Sequence, residues 1–247
     1  AFDIKSEELK DTIAGFKAMK VRGANVSMPH KQNIIPYLDE ISTASRLCNA
    51  VNTITFKDGK YYGTITDGIG FTRSLEEQGW LIKDKKITMV GAGGASTAIM
   101  VQLALDGVKE TIVYNRTMRT EFQEIINNTI IETGCTITLK SLSDLESLKK
   151  DMHSSYLFIN TTGVGMEPML ERSVVPDASY FKPDLKVADI IYQPAVTKML
   201  RLAKEAGCAT MNGELMLLYQ GVESFKIWTG QEMPINEVKK VLGIEVK

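Results

Sequence analysis

The fold is decided by the stretch Lys86-Ile-Thr-Met-Val-Gly-Ala-Gly-Gly-Ala-Ser96, in which a short apolar run meets glycines and then a helical segment. The pattern over Ile87 to Val90 predicts a buried strand, and Ala95 to Leu105 continue as a helix of small and apolar residues. Gly91 permits a tight turn, and Gly93 lets the backbone approach a pyrophosphate, which the free N–H groups of the following helix can bind. The stretch therefore predicts the phosphate-binding corner of a dinucleotide-binding unit, although a glycine turn that merely ends a strand has the same pattern.

Beyond this corner the chain alternates between strands and helices, as at strand Thr111–Tyr114, helix Thr120–Asn128 and strand Thr136–Leu139. Ser143 and Glu146 are spaced as a capping box for the next helix, at Ser143–Lys150. Such alternation predicts a parallel sheet that is covered by helices on both faces.

The segment before the corner has a different pattern. Lys57-Asp-Gly59 separates two short β-type runs as a hairpin turn does, and a helix is predicted from Phe71 to Gln78. We therefore predict an α/β protein of two domains. A Rossmann-type dinucleotide-binding domain spans residues 70–212, and a smaller α/β substrate domain spans residues 1–69 and is completed by the C-terminal helices of residues 213–247.

Composition excludes several classes of protein. The chain has 247 residues and a net charge of −1, which gives no electrostatic footprint for nucleic acid or a membrane surface. Cys48, Cys135 and Cys208 are widely spaced and form no CxxC motif. That usage indicates a reducing compartment, here the cytoplasm, and predicts neither a disulfide framework nor a metal site. The expected partner is a small molecule, and the expected assembly is a monomer or a homodimer.

The strand after the glycine corner ends in Tyr114-Asn-Arg-Thr-Met-Arg119. Enzymes that use NAD usually place an acid here to hold the ribose diol, whereas arginine suits the 2′-phosphate of NADP. Neither Asp nor Glu lies between Val113 and Thr120. The loop favours NADP over NAD, although two ordinary surface arginines in a solvated loop remain the alternative.

Lys31 and Asp67 each follow a predicted strand on the approach to the cofactor domain. Oxidation of a secondary alcohol needs a group that takes the hydroxyl proton, and a lysine held by an aspartate can do so. Asn25, Asn52 and Gln220 add uncharged donors and acceptors that suit a polyol. Each residue also has a structural explanation, such as a surface lysine in a first helical turn or an aspartate that begins one.

Six blocks of this sequence resemble the signature blocks of shikimate dehydrogenases, and they occur in order over essentially the whole chain. The blocks are Asn25-Val-Ser-Met-Pro-His-Lys31, Asn49-Ala-Val-Asn-Thr53, Thr66-Asp-Gly-Ile-Gly70, Gly91-Ala-Gly-Gly-Ala95, Asn115-Arg-Thr117 and Leu217-Leu-Tyr-Gln-Gly221. The first block, with Gln32 after it and Trp228-Thr-Gly in the tail, is most similar to the quinate/shikimate dehydrogenase branch.

The resemblance implies reversible NAD(P)-dependent oxidation of shikimate to 3-dehydroshikimate, or of quinate to 3-dehydroquinate, within aromatic amino-acid biosynthesis. It implies that Lys31 and Asp67 are the catalytic pair. The same two residues, with Asn25, Asn52 and Gln220, would bind the substrate. The implied cofactor-binding residues are Gly91, Ala92, Gly93, Gly94 and Ala95 at the pyrophosphate, Asn115, Arg116 and Thr117 at the ribose, and Ile190, Tyr192 and Gly213 near the nicotinamide.

The sequence departs from the family pattern at two places. The family begins with a strand and a turn whose paired Ser or Thr hydroxyls bind the substrate carboxylate, and Ala1-Phe-Asp-Ile4 looks like the middle of a strand. We expect a segment before Ala1, and poor turnover from a chain that lacks it. Arg119 also falls one residue before the position usual in NADP-dependent members, which keeps NAD possible.

Two other functions stay open at the level of sequence. A dinucleotide sensor would keep the fold without the chemistry, but it would have no use for both Lys31 and Asp67. A related two-domain dehydrogenase could act on an aminated or glutamate-derived substrate, but Asn52 and Gln220 favour a polyhydroxy ring.

Overall fold

The structure is a computed structural model that describes residues 1–244, which form two β-sheets and the helices that cover them. The strands are, in chain order, β1 Gly23–Asn25, β2 Glu40–Ile41, β3 Thr53–Lys57, β4 Lys60–Thr64, β5 Lys86–Val90, β6 Glu110–Asn115, β7 Thr136–Ser141, β8 Leu157–Asn160, β9 Lys186–Asp189 and β10 Ala209–Met211. The helices are α1 Leu9–Ala18, α2 His30–Asn33, α3 Thr43–Cys48, α4 Asp67–Glu77, α5 Gly94–Leu105, α6 Thr120–Thr133, α7 Leu145–Ser154, α8 Lys198–Glu205, α9 Glu214–Thr229 and α10 Ile235–Leu242.

The larger sheet has six strands in the order β10-β9-β8-β5-β6-β7, and every neighbouring pair is parallel. Its central strand β5 is buried on both faces, since Ile87, Thr88, Met89 and Val90 are each at most 1% exposed. A strand covered on both faces reads as a continuous apolar run, which is why the sequence pattern identified it. The strand order reverses beside β5, and ligands of such sheets bind at the carboxyl ends of the strands near that point. The predicted doubly wound parallel sheet is confirmed.

The smaller sheet has four strands in the order β1-β3-β4-β2. The predicted hairpin is present as the antiparallel pair β3 and β4, while β2 runs parallel to β4. Helix α1 covers this sheet, and Leu9 and Ile13 lie in the same apolar cluster as Ile54 and Tyr61. The predicted α/β architecture with a second, smaller sheet is therefore confirmed. Residues 1–5 form no strand.

Helix α4 links the two sheets. A Cβ atom on Gly68 would lie 2.4 Å from the carbonyl oxygen of Ala98 in α5, and one on Gly70 would lie 2.6 Å from the backbone nitrogen of Gln220 in α9. No side chain fits at such separations, so these glycines let α4 pack directly against α5 on one side and α9 on the other. The residues at the start of α4 are thereby held next to the glycine corner.

Several predictions about helix ends were wrong. Helix α6 runs to Thr133 instead of Asn128, and α7 runs to Ser154 instead of Lys150. Helix α4 begins at Asp67, four residues before the predicted start at Phe71, because close packing outweighs the low helix propensity of its glycines. Helix α7 is capped by the carboxylate of Asp144, which accepts a 3.0 Å bond from the Ser147 N–H. Ser143 is not the cap, since its hydroxyl lies 2.8 Å from that of Ser141. Within residues 1–244, no helix is long and apolar enough to cross a membrane.

Candidate active site

Lys31 and Asp67 form an ion pair between the two sheets. The Lys31 ammonium donates to Asp67 Oδ2 over 2.7 Å, and the two side chains are only 24% and 15% exposed. Lys31 lies in the first turn of α2, and its backbone carbonyl accepts a 2.8 Å bond from the N–H of Val51 at the start of the hairpin. Asp67 is the first residue of α4. The structure thus brings together two residues that are 36 positions apart.

Asn52 holds the other oxygen of this carboxylate. Its amide nitrogen donates to Asp67 Oδ1 over 2.8 Å, and its carbonyl oxygen accepts the backbone N–H of Thr66 over 2.9 Å. Asn52 is buried. Both oxygens of Asp67 therefore have a partner on the protein, which fixes the carboxylate and, through it, the direction of the Lys31 side chain.

A cavity of about 620 Å³ opens in front of this pair. We call it the Lys31 cavity; its polar lining includes Lys31, Asp67, Asn25, Asn52 and Gln220. All five predicted substrate-binding residues thus line one cavity. Their roles as ligands stay a prediction.

Two of these side chains are also tied into the protein. The amide nitrogen of Asn25 lies 3.1 Å from Thr53 Oγ1 and 3.2 Å from Ser224 Oγ, so Asn25 can offer its carbonyl oxygen to a ligand. The amide nitrogen of Gln220 donates to the carbonyl oxygen of Leu217 within the same helix, over 3.1 Å. Cys48 supplies no nucleophile here, because burial, with a contribution from the Asp67 charge, raises its thiol pKa to about 12.

The glycine corner, Gly91 to Ala95, has the geometry of an anion site. Gly91 has a φ of +121°, and a Cβ atom there would lie 2.4 Å from Thr161 Oγ1. A Cβ on Gly93 or Gly94 would point into open space, so the outer side of the loop has room for a bound group. The twelve-residue helix α5 begins at Gly94, and its N-cap residue, Gly93, has no side chain that could cap the first N–H groups. These residues fit a pyrophosphate, which would accept the free N–H groups.

The predicted ribose loop lies beside this corner at the end of β6. The amide nitrogen of Asn115 donates to the carbonyl oxygen of Thr117 over 2.6 Å and closes the loop, while Arg116 is exposed. Arg119 donates to the carbonyl oxygen of Ala92, which places its guanidinium against the glycine corner. The loop therefore carries two arginines, one exposed and one against the glycine corner, and its role at the ribose stays a prediction.

A second cavity of about 620 Å³ lies at the carboxyl ends of β8 and β9. We call it the Tyr192 cavity; its walls include Thr161, Met166, Ile190 and Tyr192. A Cβ on Gly213 would lie 2.0 Å from the Ile190 carbonyl oxygen, so this glycine lets the start of α9 approach the cavity wall. The three residues predicted at the nicotinamide, Ile190, Tyr192 and Gly213, are neighbours here, and their role stays a prediction.

The sequence did not indicate a buried polar group behind the Tyr192 cavity. Asp189 accepts bonds from Asn160 Nδ2 (3.0 Å), the Ile191 N–H (3.1 Å) and the Thr197 hydroxyl (2.7 Å). Burial raises the Asp189 pKa to about 6, against the lowering effect of those three donors. The group ties together both strand ends and the cap of α8. Its only sequence signal is a polar residue at the end of each of two buried strands.

The parallel sheet, the anion site at its carboxyl edge and a cavity with a fixed lysine–aspartate pair define a two-domain dinucleotide-dependent dehydrogenase. The description "Shikimate dehydrogenase substrate binding domain" matches residues 1–54, and "Shikimate 5′-dehydrogenase C-terminal domain" matches residues 213–242. The shikimate dehydrogenase (NADP(+)) of Listeria innocua is 46% identical over 246 residues, which cover 98% of this chain and 84% of that protein.

Two solved structures have the same fold. Shikimate 5-dehydrogenase from Listeria monocytogenes, in complex with shikimate and NAD, is 45% identical with a TM-score of 0.95 and covers 98% of this chain and 84% of its own. Quinate dehydrogenase from Corynebacterium glutamicum, in complex with NAD, is 27% identical with a TM-score of 0.84. The match covers 95% of this chain and 82% of that chain. The chain belongs to the shikimate dehydrogenase family.

Proposed function

We propose that this protein catalyses the reversible NAD(P)-dependent reduction of 3-dehydroshikimate to shikimate, a step of aromatic amino-acid biosynthesis, and also of 3-dehydroquinate to quinate. The observation that carries the proposal is the 2.7 Å contact of Lys31 with Asp67 in a cavity that is also lined by the amides of Asn25, Asn52 and Gln220. Family membership and the quinate dehydrogenase among the structural relatives support both substrates.

The residues of this chain would handle the proton and the orientation of the substrate. In the oxidative direction the hydroxyl proton passes to the amine of Lys31, and in the reductive direction the ammonium returns it to the carbonyl oxygen. Asp67 holds that nitrogen, while Asn25, Asn52 and Gln220 orient the ring hydroxyls. The nicotinamide, when bound, accepts or supplies the hydride.

We infer that the cofactor is NADP or NAD, with NADP favoured. The glycine corner would hold the pyrophosphate, and Asn115, Arg116 and Thr117 would hold the adenosine ribose. The exposed Arg116 and the Arg119 that contacts Ala92 support a 2′-phosphate at this loop. The name of the 46% identical relative includes NADP(+), which also supports this preference.

We propose the same organisation that the sequence indicates, with residues 1–69 and 213–247 as the substrate domain and residues 70–212 as the cofactor domain. The packing of α9 against α4 supports the return of the chain to the first domain. We further propose a cytoplasmic monomer or homodimer without a nucleic-acid or membrane partner, which the net charge of −1 supports.

The test is an absorbance assay of the reduced nicotinamide with the full-length natural protein, in which shikimate and quinate are each crossed with NADP and NAD. We expect turnover with shikimate and NADP and a smaller kcat/KM for quinate or for NAD. Absence of turnover in all four combinations, with dinucleotide still bound, would contradict the proposal and indicate a sensor instead.

A further inference from the structure

A chain of buried hydrogen bonds runs from the Lys31–Asp67 pair to helix α9. The Thr53 hydroxyl donates to the Asn52 carbonyl oxygen over 2.9 Å, and it lies 2.9 Å from the hydroxyl of Ser224 in α9. Thr53 is fully buried and Ser224 is 1% exposed. Neither residue lines the Lys31 cavity, so neither is placed to touch a substrate.

These hydrogen bonds determine the orientation of the Asn52 side-chain amide. The backbone N–H of Thr66 can only donate, so it requires the oxygen of the amide on its side. The Thr53 hydroxyl donates to the same oxygen, and the amide nitrogen is left to face Asp67. A flipped amide would set its nitrogen against the Thr66 N–H and its oxygen against the Asp67 carboxylate, which buried groups do not tolerate.

Ser224 connects this arrangement to the helix that carries Gln220. Its single hydroxyl proton can go either to Thr53 or to the Gln220 carbonyl oxygen, which lies 3.1 Å away and one turn earlier in α9. Asn25 adds a second tie, because its amide nitrogen lies within 3.2 Å of both the Thr53 and the Ser224 hydroxyls. The hydroxyls of Thr53 and Ser224 and the amide of Asn25 therefore connect the start of β3, next to Asn52, with the helix that carries Gln220.

We propose that Thr53 and Ser224 are positioning residues for the proton transfer: they lock the Asn52 amide in the orientation that holds Asp67, and so aim the Lys31 nitrogen. This inference rests on the proposed function. Because the lock acts on the reacting geometry rather than on ligand contacts, its loss lowers kcat more than it raises the KM of substrate or cofactor.

The experiment compares Thr53→Val with Thr53→Ser, which keeps the hydroxyl. Thr88→Val is the matched control, because Thr88 is a fully buried strand residue of the other sheet whose hydroxyl lies 2.8 Å from that of Ser155. In Thr53→Val we expect kcat for shikimate to fall about tenfold, with the KM for shikimate and NADP within about twofold, since a small misplacement of reacting groups is costly. Thr53→Ser should regain most of kcat, Thr88→Val should keep it, and Ser224→Ala should lose about threefold because it acts one bond further away.

Exchange of the Asn52 side-chain amide protons, followed by NMR, gives a second readout that needs no turnover. We expect slow exchange in the wild type and in Thr53→Ser, and at least severalfold faster exchange in Thr53→Val. If Thr53→Val does not fold, Ser224→Ala is measured in its place, with the same two readouts.

A wild-type kcat in Thr53→Val and Ser224→Ala, or in the one of them that folds, would overturn the inference and leave the proposed function standing. Unchanged exchange of the Asn52 amide protons would do the same. A wild-type protein without turnover would instead overturn the proposed function, and the exchange measurement would still decide whether the lock exists.

Discussion

The Lys31 cavity and the glycine corner are built in opposite ways. Around Lys31 the side chains already bond to one another, and Asp67 has partners at both oxygens. At the corner the recognition surface is backbone: Gly93 and Gly94 face open space, and the start of α5 has no side-chain cap. The proposed proton transfer, which needs precise placement, would thus use a fixed side-chain network, whereas the proposed cofactor site would use the backbone N–H groups of a helix end.

This difference predicts that substitutions in the two regions affect different kinetic parameters. Changes around Lys31 should lower kcat and spare dinucleotide binding. Changes at the corner and the ribose loop should raise the KM or Kd of the cofactor and spare kcat at saturation.

The largest of the three following effects is expected for Asp67→Asn. An amide cannot hold the ammonium as an ion pair, so Lys31 loses its fixed position. We expect kcat to fall on the order of a hundredfold while the Kd of NADP stays within about twofold. Asp39→Asn is the control, because Asp39 is paired with Lys17 over 3.6 Å at the surface. Steady-state kinetics and a fluorescence titration of NADP measure both quantities, and an equal loss in both would contradict the separation.

A smaller effect is expected for the double substitution of Arg116 and Arg119 by alanine. Because charge-assisted bonds to a phosphate are worth about 1.5–3 kcal/mol, the KM of NADP should rise about tenfold or more. The KM of NAD should change little, and kcat at saturating cofactor should be kept. Arg201→Ala, which removes an exposed partner of Glu171, controls for the loss of surface charge. A preference for NADP that survives the double substitution would exclude this loop as the 2′-phosphate site.

The smallest effect concerns stability at the Tyr192 cavity. The pKa of Asp189 is raised to about 6 in the folded state, so the native protein binds more protons than the unfolded chain between about pH 4 and 6, and stability falls as pH rises through that window. Asp189→Asn removes this loss, since an amide can accept the Asn160 and Ile191 donors and donate to Thr197. From pH 4 to pH 8, the free energy of unfolding of the variant should rise relative to that of the wild type by about 1–3 kcal/mol, measured by urea denaturation.

Asp177→Asn is the control of opposite sign. Hydrogen bonds from Ser179 lower the pKa of this exposed acid, so the native state of the wild type gains stability as pH rises through the acidic range. The free energy of unfolding of Asp177→Asn should therefore fall relative to that of the wild type as pH rises. A pH-independent difference for Asp189→Asn would show that the carboxyl group is not protonated in the native protein near pH 5.

The fold was largely predictable because its signals are local. The strand at Ile87 to Val90, the glycines after it and the hairpin around Lys57-Asp-Gly59 each satisfy a backbone requirement within a few residues. The start of α4 and the cap of α7 were missed because packing of Gly68 and Gly70 against other helices, and the choice between neighbouring capping residues, are decided by tertiary contacts.

The candidate site was only partly predictable. Lys31, Asp67 and Asn52 carry sequence signals, and the structure gathers them at one cavity. Thr53 and Ser224 were missed, because a buried hydroxyl has no pattern of its own and their contact joins residues 171 positions apart. Asp189 had only the weak signal of a polar residue at the end of a buried strand. A partner that lies on another element is visible only after folding.

The most direct measurement is Lys31→Met in the full-length natural protein, with kcat for shikimate and the Kd of NADP determined on the same preparation. Methionine keeps much of the side-chain volume and removes the proton-transfer group, so kcat should fall on the order of a thousandfold with the NADP Kd unchanged. Lys17→Met, at the exposed pair with Asp39, should leave both values at wild type. A Lys31→Met protein that keeps more than about a tenth of the wild-type kcat would contradict the assignment of Lys31 to the proton transfer.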